Sequence, residues 1–248
     1  MERCVVDGIP VSAGLWSYGD PVGIGELAEG PLHAALKQHL AVPGDRFEVP
    51  VGRWVIDLVR SDGELVEVQT GGFGPLGRKL DGLLDQHRIR IVHPVPAVRW
   101  IVRTGSNGAV ATRRRSPRTA SPVEVCDVLV SFPTLLGHPN LVVEVLSCEE
   151  EHLRGAAPVG QGRRRRDPGV RRLVQVLDSY EIRRPGDVLG LLGTGLPTTP
   201  FTTAELGALV GAPTVLAQRI TFCLRHLELI LPAGRRGHAP LFRAVSEG

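Results

Sequence analysis

The stretch that most constrains this chain is Arg53 to Thr70, which reads Arg-Trp-Val-Ile-Asp-Leu-Val-Arg, then Ser-Asp-Gly, then Glu-Leu-Val-Glu-Val-Gln-Thr. Both arms are rich in β-branched and apolar residues, and Ser61, Asp62 and Gly63 supply turn chemistry between them, so the stretch predicts a β-hairpin. A three-residue loop, a type I turn followed by a left-handed residue, suits these three because Gly63 accepts a positive φ without steric cost. That loop sets Arg60 opposite Glu64 and, together on one side of the ribbon, Val59 opposite Leu65, Asp57 opposite Glu67 and Val55 opposite Gln69. The alternative is a two-residue loop, which throws Asp57 and Glu67 onto opposite faces as solvated strand charges.

In the first register two carboxylates stand across from each other. Like charges in a cross-strand pair destabilise a sheet, so a fold that keeps them together calls for a cation or a shared proton between them. Magnesium suits such a pair: it takes oxygen ligands at about 2.0–2.1 Å and uses one or two carboxylates plus water and phosphate oxygens.

Asp57, nine intervening residues, then Glu67-Val68-Gln69 resembles the metal-binding hairpin of the PD-(D/E)xK nuclease superfamily, the fold of many restriction enzymes and Holliday-junction resolvases. The resemblance covers about residues 29 to 103. It implies a restriction-endonuclease-like three-layer α/β core, with magnesium or manganese held by Asp57 and Glu67. It also implies a residue at the third motif position that polarises the attacking water, and an acid on an upstream helix. Gln69 stands where the motif has lysine, as in some members of the superfamily.

The upstream helix begins near Glu29, where Leu32, Ala35, Leu36 and Leu40 form a stripe and Pro31 is tolerated in the first turn. Glu29 lies three and seven residues before Leu32 and Leu36, beside that stripe, and is the candidate upstream acid. Glu26 substitutes if the helix starts earlier. The other reading of Glu29 is a first-turn glutamate favoured by the helix dipole. Phe47 to Val51 predicts a further strand.

After the hairpin, Leu76, Leu80, Leu83 and Leu84 mark a helix, followed by strands at Arg88 to Val92 and Val98 to Val102. Lys79, one of only two lysines in the chain, flanks the apolar stripe of that helix. A cation there could reach the acid pair in place of the missing motif lysine; the competing reading is a surface lysine. Residues 104 to 122, with Arg113-Arg-Arg-Ser-Pro-Arg118, predict an exposed hairpin or loop able to hold phosphates, or a plain solvated charge run. A helix is expected over Val123 to Leu136 and a strand over Leu141 to Leu146.

With 248 residues, 42% hydrophobic and 22% charged, the chain has ordinary globular values and room for one large or two small domains. No run approaches a membrane span, and the start lacks the layout of a signal peptide, so a cytoplasmic protein is expected. Cys4, Cys126, Cys148 and Cys223 are scattered and read as buried thiols. His33, His39, His87 and His93 are likewise spread out and read as structural or exposed.

Charge is uneven: residues 1–160 carry 16 basic against 19 acidic residues, residues 161–248 carry 13 against 7. The expected division is therefore a nuclease-like domain over 1–155, a basic linker over 156–169 and a winged helix-turn-helix over 170–248. In the last part a first helix is expected at Val170 to Ile182. Thr202 to Glu205 is a capping box opening a second at Thr203 to Val210, and Pro213 starts a third with Leu216, Ile220, Cys223, Leu224 and Leu227 inward. Thr214, Gln218, Thr221 and Arg225 would face outward, and Gly234-Arg-Arg-Gly-His238 forms a wing tip.

Gln218, Arg219 and Arg225 are then the candidates for bases or phosphates of DNA, and Arg235 and Arg236 for phosphates. These expectations combine into a metal-dependent nuclease whose Asp57 and Glu67 bind metal, with Glu29, Gln69 and Lys79 assisting. The alternative is a DNA-binding regulator in which a degenerate nuclease-like core does not cleave and serves, for instance, to form a homodimer.

Overall fold

The computed structural model describes residues 30–105, 109–154 and 169–245. The candidate acids Glu29 and Glu26, Cys4 and most of the basic linker lie outside the described residues. Helix α1 (Pro31–Leu40) buries Leu32 and Leu36, as its stripe predicts, with Pro31 in the first turn, where an N–H is unpaired anyway. Strands β1 (Arg46–Val51), β2 (Trp54–Val59) and β3 (Leu65–Val68) follow as an antiparallel meander.

The β2–β3 loop is the three-residue one. Gly63 has φ +85°, its N–H donates to the Arg60 carbonyl at 3.0 Å, and the Arg60 N–H donates to the Glu64 carbonyl at 2.9 Å. Val59 is level with Leu65 and Leu58 with Val66, the expected register.

A 3-10 turn at Gly74–Leu76 leads into α2 (Gly77–Leu83), and β4 (Ile89–Thr104) then lies parallel to β3. β4 is one long strand where the sequence pattern suggested two. It passes through Pro94 and Pro96 and absorbs a register shift between Pro96 and Val98. The edge of β4 bearing these prolines lies between the end of β3 and the start of β5 (Val110–Arg115), where no strand asks for their missing N–H groups. β5 runs back along the outer half of β4 as an exposed hairpin.

The helix expected over Val123 to Leu136 is broken into a 3-10 turn at Pro122–Val125, α3 (Cys126–Leu129) and a second 3-10 turn at Pro133–Leu135. Pro133 forces the residue before it out of the helical region, and Phe132 has φ −156°. β6 (Leu141–Arg154) is parallel to β4, and β7 (Val170–Ile182) antiparallel to β6.

Val170 to Ile182 is thus a strand and not a helix. Two register shifts against β6 explain the misreading: they leave Val174 and Leu177 as extra, exposed residues, so that Leu173 and Val176 point inward although three apart. A doubly bulged strand imitates helical spacing. The boundary expected before residue 170 accordingly falls inside the sheet, which ends at Ile182.

The seven-stranded mixed sheet runs β1-β2-β3-β4-β6-β7, with β5 on β4. One face carries Leu58, Val66, Val68, Val92 and Leu146 beneath α1. The opposite face packs Ile56, Leu65, Ile91 and Val143 beneath α2 and α3. Full burial of one such aliphatic side chain is worth about 1.5–3 kcal/mol.

Beyond the sheet come the short α4 (Asp187–Gly190), α5 (Thr203–Val210), α6 (Thr214–His226) and the hairpin β8 (Ile230–Arg236) and β9 (Ala239–Ala244). The capping box is present, with the Thr202 side chain accepting from the Glu205 N–H and the Glu205 carboxylate accepting from the Thr202 N–H; Gly211 closes α5 in the left-handed conformation. α5 and α6 are turned 108° from each other.

Leu216, Ile220, Cys223, Leu224 and Leu227 are buried as expected, and they join the same apolar cluster as α2 and α3. Thr221, expected outside, is buried and donates to the Ala217 carbonyl within its own helix. The architecture is mixed α/β, with helices on both faces of the sheet. Among the described residues no single helix is long and apolar enough to cross a membrane.

Candidate active site at the opening between β2 and β3

The β2–β3 ladder opens at Asp57. Ile56 joins the cluster under α2 while Leu58 joins the one under α1, so β2 turns about its own axis at the residue between them. Across on β1, Glu48 has φ +51°, the same distortion seen from the neighbouring strand. The Val68 N–H, left without a backbone partner, donates instead to Asp57 Oδ2 at 2.8 Å. The carboxylate therefore does not stand squarely above Glu67, as an ideal ribbon would have it, but fills the gap in the ladder.

Four side chains and one strand edge converge there. His33 Nε2 of α1 lies 3.2 Å from Asp57 Oδ2. Lys37, one turn further along α1, is buried and ion-paired with Glu48. On the other side, Lys79 of α2 donates to Glu67 Oε1 at 2.7 Å and to the Val55 carbonyl at 2.9 Å. The helix lysine thus reaches the acid of the motif strand.

The two acids are driven apart electrostatically. Burial pushes Asp57 up, but the His33 hydrogen bond, the Val68 N–H and the charges of His33 and Lys37 outweigh it and hold the carboxyl below its usual value. Glu67 is raised, first by burial and also by the Asp57 charge, against the opposing pull of Lys79 and of a backbone hydrogen bond from Asp57.

Gln69, the third motif residue, turns its side-chain amide to the Gly72 carbonyl at 2.7 Å, and its own carbonyl accepts from His93 Nδ1 at 2.7 Å. His93 is held neutral, at about 4, by burial and the nearby Arg171, with the Gln69 carbonyl opposing.

The structure brings Asp57, Glu67 and Lys79 together and places Gln69 at the margin. Sequence reasoning missed His33, Lys37 and His93. The first two had a legible signal: they lie at i and i+4, flanking the Leu32/Leu36 stripe, so one helical flank carries both toward the hairpin.

The C-terminal candidates are arranged differently. Arg219 Nη1 pairs with Asp127 of α3 at 2.8 Å, in the contact between α6 and the core. Arg236 pairs with Glu205 at 2.5 Å, Arg235 donates to the His238 carbonyl within the hairpin, and Arg225 lies over the Phe242 ring at 5.7 Å. Gln218 is exposed between Val215 and Phe222, two apolar side chains that face solvent on the same helix. Of the four α6 residues expected outward, Thr214, Gln218 and Arg225 are exposed and Thr221 is buried.

Residues 30–183 match the family described as Domain of unknown function (DUF8091). The match starts at the residue before α1 and ends one residue after β7, the limits of the sheet and its first helix. An uncharacterized protein of Treponema pallidum (strain Nichols) is 30% identical over 229 residues, which cover 91% of this chain and 89% of that protein. No solved structure matches the chain. With more than half of its length inside the match, the chain belongs to the DUF8091 family.

Proposed function

We propose that the chain is a metal-dependent phosphodiesterase of the PD-(D/E)xK type acting on nucleic acid, with a C-terminal module of winged-helix type. One observation carries the reading: two carboxylates share an opened strand pair, and the cation beside them arrives from α2, replacing the lysine that Gln69 lacks. The order α1, three antiparallel strands, α2 and a parallel β4 is the order that the hairpin resemblance calls for. The 108° turn from α5 to α6, the β8–β9 hairpin and the bridge from Phe201 to Phe242 support the winged-helix reading of the rest.

The donor set fits a hard cation. Asp57 and Glu67 offer carboxylate oxygens from adjacent strands, with Asp57 Oδ2 held by the Val68 N–H and His33. Among the described residues no group of three or more His, Cys, Asp or Glu is placed to hold a metal, so the remaining ligands of a magnesium or manganese ion would come from water and phosphate. The metal, when bound, would polarise the phosphoryl oxygen and lower the pKa of its water.

The chain's own residues do the rest. His33 and the Val68 N–H fix the Asp57 rotamer and keep it ionised. Lys79 holds Glu67 toward the opening and offers positive charge where negative charge develops on a transferred phosphoryl group.

A second reading, a nucleic-acid binder whose core does not cleave, is favoured by Gln69, whose amide is turned to Gly72. Calorimetric titration of magnesium and manganese separates the two, with Asp57→Asn beside the wild type. The nuclease reading expects wild-type binding that weakens at least about tenfold in the variant, because one of two carboxylate donors is neutralised. It also expects cleavage of DNA or RNA by the wild type alone. Wild-type protein that neither takes up metal nor cuts either polymer would leave the second reading.

A further inference from the structure

The sheet extends well past the site. The outer half of β4, β5, the end of β6 and the start of β7 form an arm whose residues are placed on faces by their register. Ile101 is level with both Arg114 and His152, Arg103 with Arg154, Arg99 with Glu150, and Arg171 with His152. Neighbours in register share a face, so Arg99, Arg103, Arg114, Arg154 and Arg171 all stand on the α1 side of the arm. Five cations there meet one acid, Glu150. The other face carries three cations, Arg113, Arg115 and Arg172, against two acids, Glu149 and Glu151: Trp100 Nε1 and Gln175 donate to Glu149, Arg113 donates to Glu151, and the Arg113 guanidinium covers the Trp100 ring at 3.8 Å.

The α1-side row is built differently along its length. Nearest the site, Glu150 is fully buried and accepts from Arg99 at 2.5 Å and from Arg171 at 2.9–3.0 Å. Arg171 also donates to the carbonyl of Thr70, the residue after Gln69, at 3.1 Å. One buried acid therefore fixes two guanidinium groups at the end of the motif strand. Further out, Arg114 on β5, Arg103 on β4 and Arg154 on β6 are exposed and make no ion pair among the described residues, so three like charges line one face of three neighbouring strands. A sheet gains nothing from that repulsion unless an anion relieves it. The row crosses four neighbouring strands, β5, β4, β6 and β7, about 4.8 Å apart, which gives an extended polyanion repeated contacts.

We infer that the α1 side of this arm, from Arg171 out to Arg154, is the track that holds the sugar-phosphate backbone of the nucleic-acid substrate, independently of base sequence. The inference rests on the proposed function for its choice of polyanion and not on cleavage itself. It transfers the anchoring role from α6, whose outer face carries Val215 and Phe222 and whose Arg219 is committed to Asp127.

The test is fluorescence anisotropy of a labelled DNA duplex and of the single strand of the same length, in EDTA so that no cleavage occurs, across a salt series. The variants are R103E/R114E/R154E in the arm and Q218A/R225E on α6, each checked by circular dichroism for wild-type folding. The arm variant is expected to weaken binding at least about tenfold at low salt and to lower the salt slope by roughly 3, one for each phosphate contact removed. The α6 variant is expected to bind like the wild type. An arm variant that folds and binds unchanged overturns the inference, as does wild-type protein that binds neither polymer. Loss of binding in the α6 variant alone returns the anchoring role to that helix. Binding lost through the arm, in a protein that cleaves nothing with any divalent metal, upholds the track while the nuclease reading fails.

Discussion

The β2–β3 hairpin and the α5–α6 module both carry the charges that make this sequence look like a nucleic-acid enzyme, yet the two neutralise those charges in opposite ways. In the hairpin, Asp57 and Glu67 are 15% and 9% exposed at the side chain, and Lys79 is the cation hydrogen-bonded to the second of them. In the module, Arg219 and Arg236 are 42% and 58% exposed and each has its own carboxylate. The second arrangement is what solubility and modest stability ask for. The first crowds acids that burial makes expensive, and such a cluster persists where a bound cation offsets its cost.

The comparison is broken or sharpened most directly at Lys79. Removing one partner of a buried ion pair leaves an uncompensated charge, so Lys79→Met should cost about 3–4 kcal/mol in urea unfolding at neutral pH. Because Glu67 is already raised by burial and by Asp57, it takes up a proton more readily than an ordinary glutamate, and the deficit should shrink as the pH falls. Lys79→Met combined with Glu67→Gln should recover most of the stability, since a neutral amide needs no counter-charge. A Lys79→Met protein as stable as the wild type would mean that the acid pair is solvated and that the hairpin resembles the module after all.

Next in size is the acid sensitivity of the motif strand, through His93. Its folded value of about 4 lies below the ordinary 6.5, so the unfolded chain binds the extra proton first. Stability contributed by the neutral imidazole is full above pH 6.5, falls as the pH drops from 6.5 toward 4, and levels off below. At about 1.4 kcal/mol per pH unit the whole window amounts to about 3 kcal/mol. His93→Gln should flatten that part of the urea-midpoint profile. An unchanged profile would locate the acid sensitivity elsewhere.

Much of the hairpin was legible because its information is local. Gly63 must take a positive φ, the loop length follows, and the register of Val59 against Leu65 and Leu58 against Val66 follows from that; it stops short of Asp57, where the ladder opens. Thr202 to Glu205, Gly211 and Pro213 were legible for the same reason, each being a helix signal complete within a few residues. The strand β7 was not, because the bulges at Val174 and Leu177 are answers to β6, a strand that meets it only through the fold, with Val176 level with Cys148 and Leu173 with Glu150. The twist that turns Asp57 into the ladder gap depends on packing that no spacing rule encodes, whereas the helical positions of His33, Lys37 and Lys79 were readable and only their partners were not. Arg219 shows the same limit: its helical face was readable, but not that Asp127 of α3 would lie beside it.

The smallest expected effect closes the comparison from the side of the module. Arg219→Ala removes an ion pair whose two partners are both more than a third exposed, and pairs of that kind contribute about 0–1 kcal/mol. The apolar contact around it is untouched, since Ile220, Cys223 and Leu224 remain buried against α3 and its neighbours. Urea unfolding should therefore move by under about 1 kcal/mol, and added salt should erase what difference there is. A loss several times larger would mean that Arg219 and Asp127 are shielded in solution and that the module docks through its charges. The contrast between hairpin and module would then fall, and the argument that the hairpin's acids are there for a cation would weaken with it.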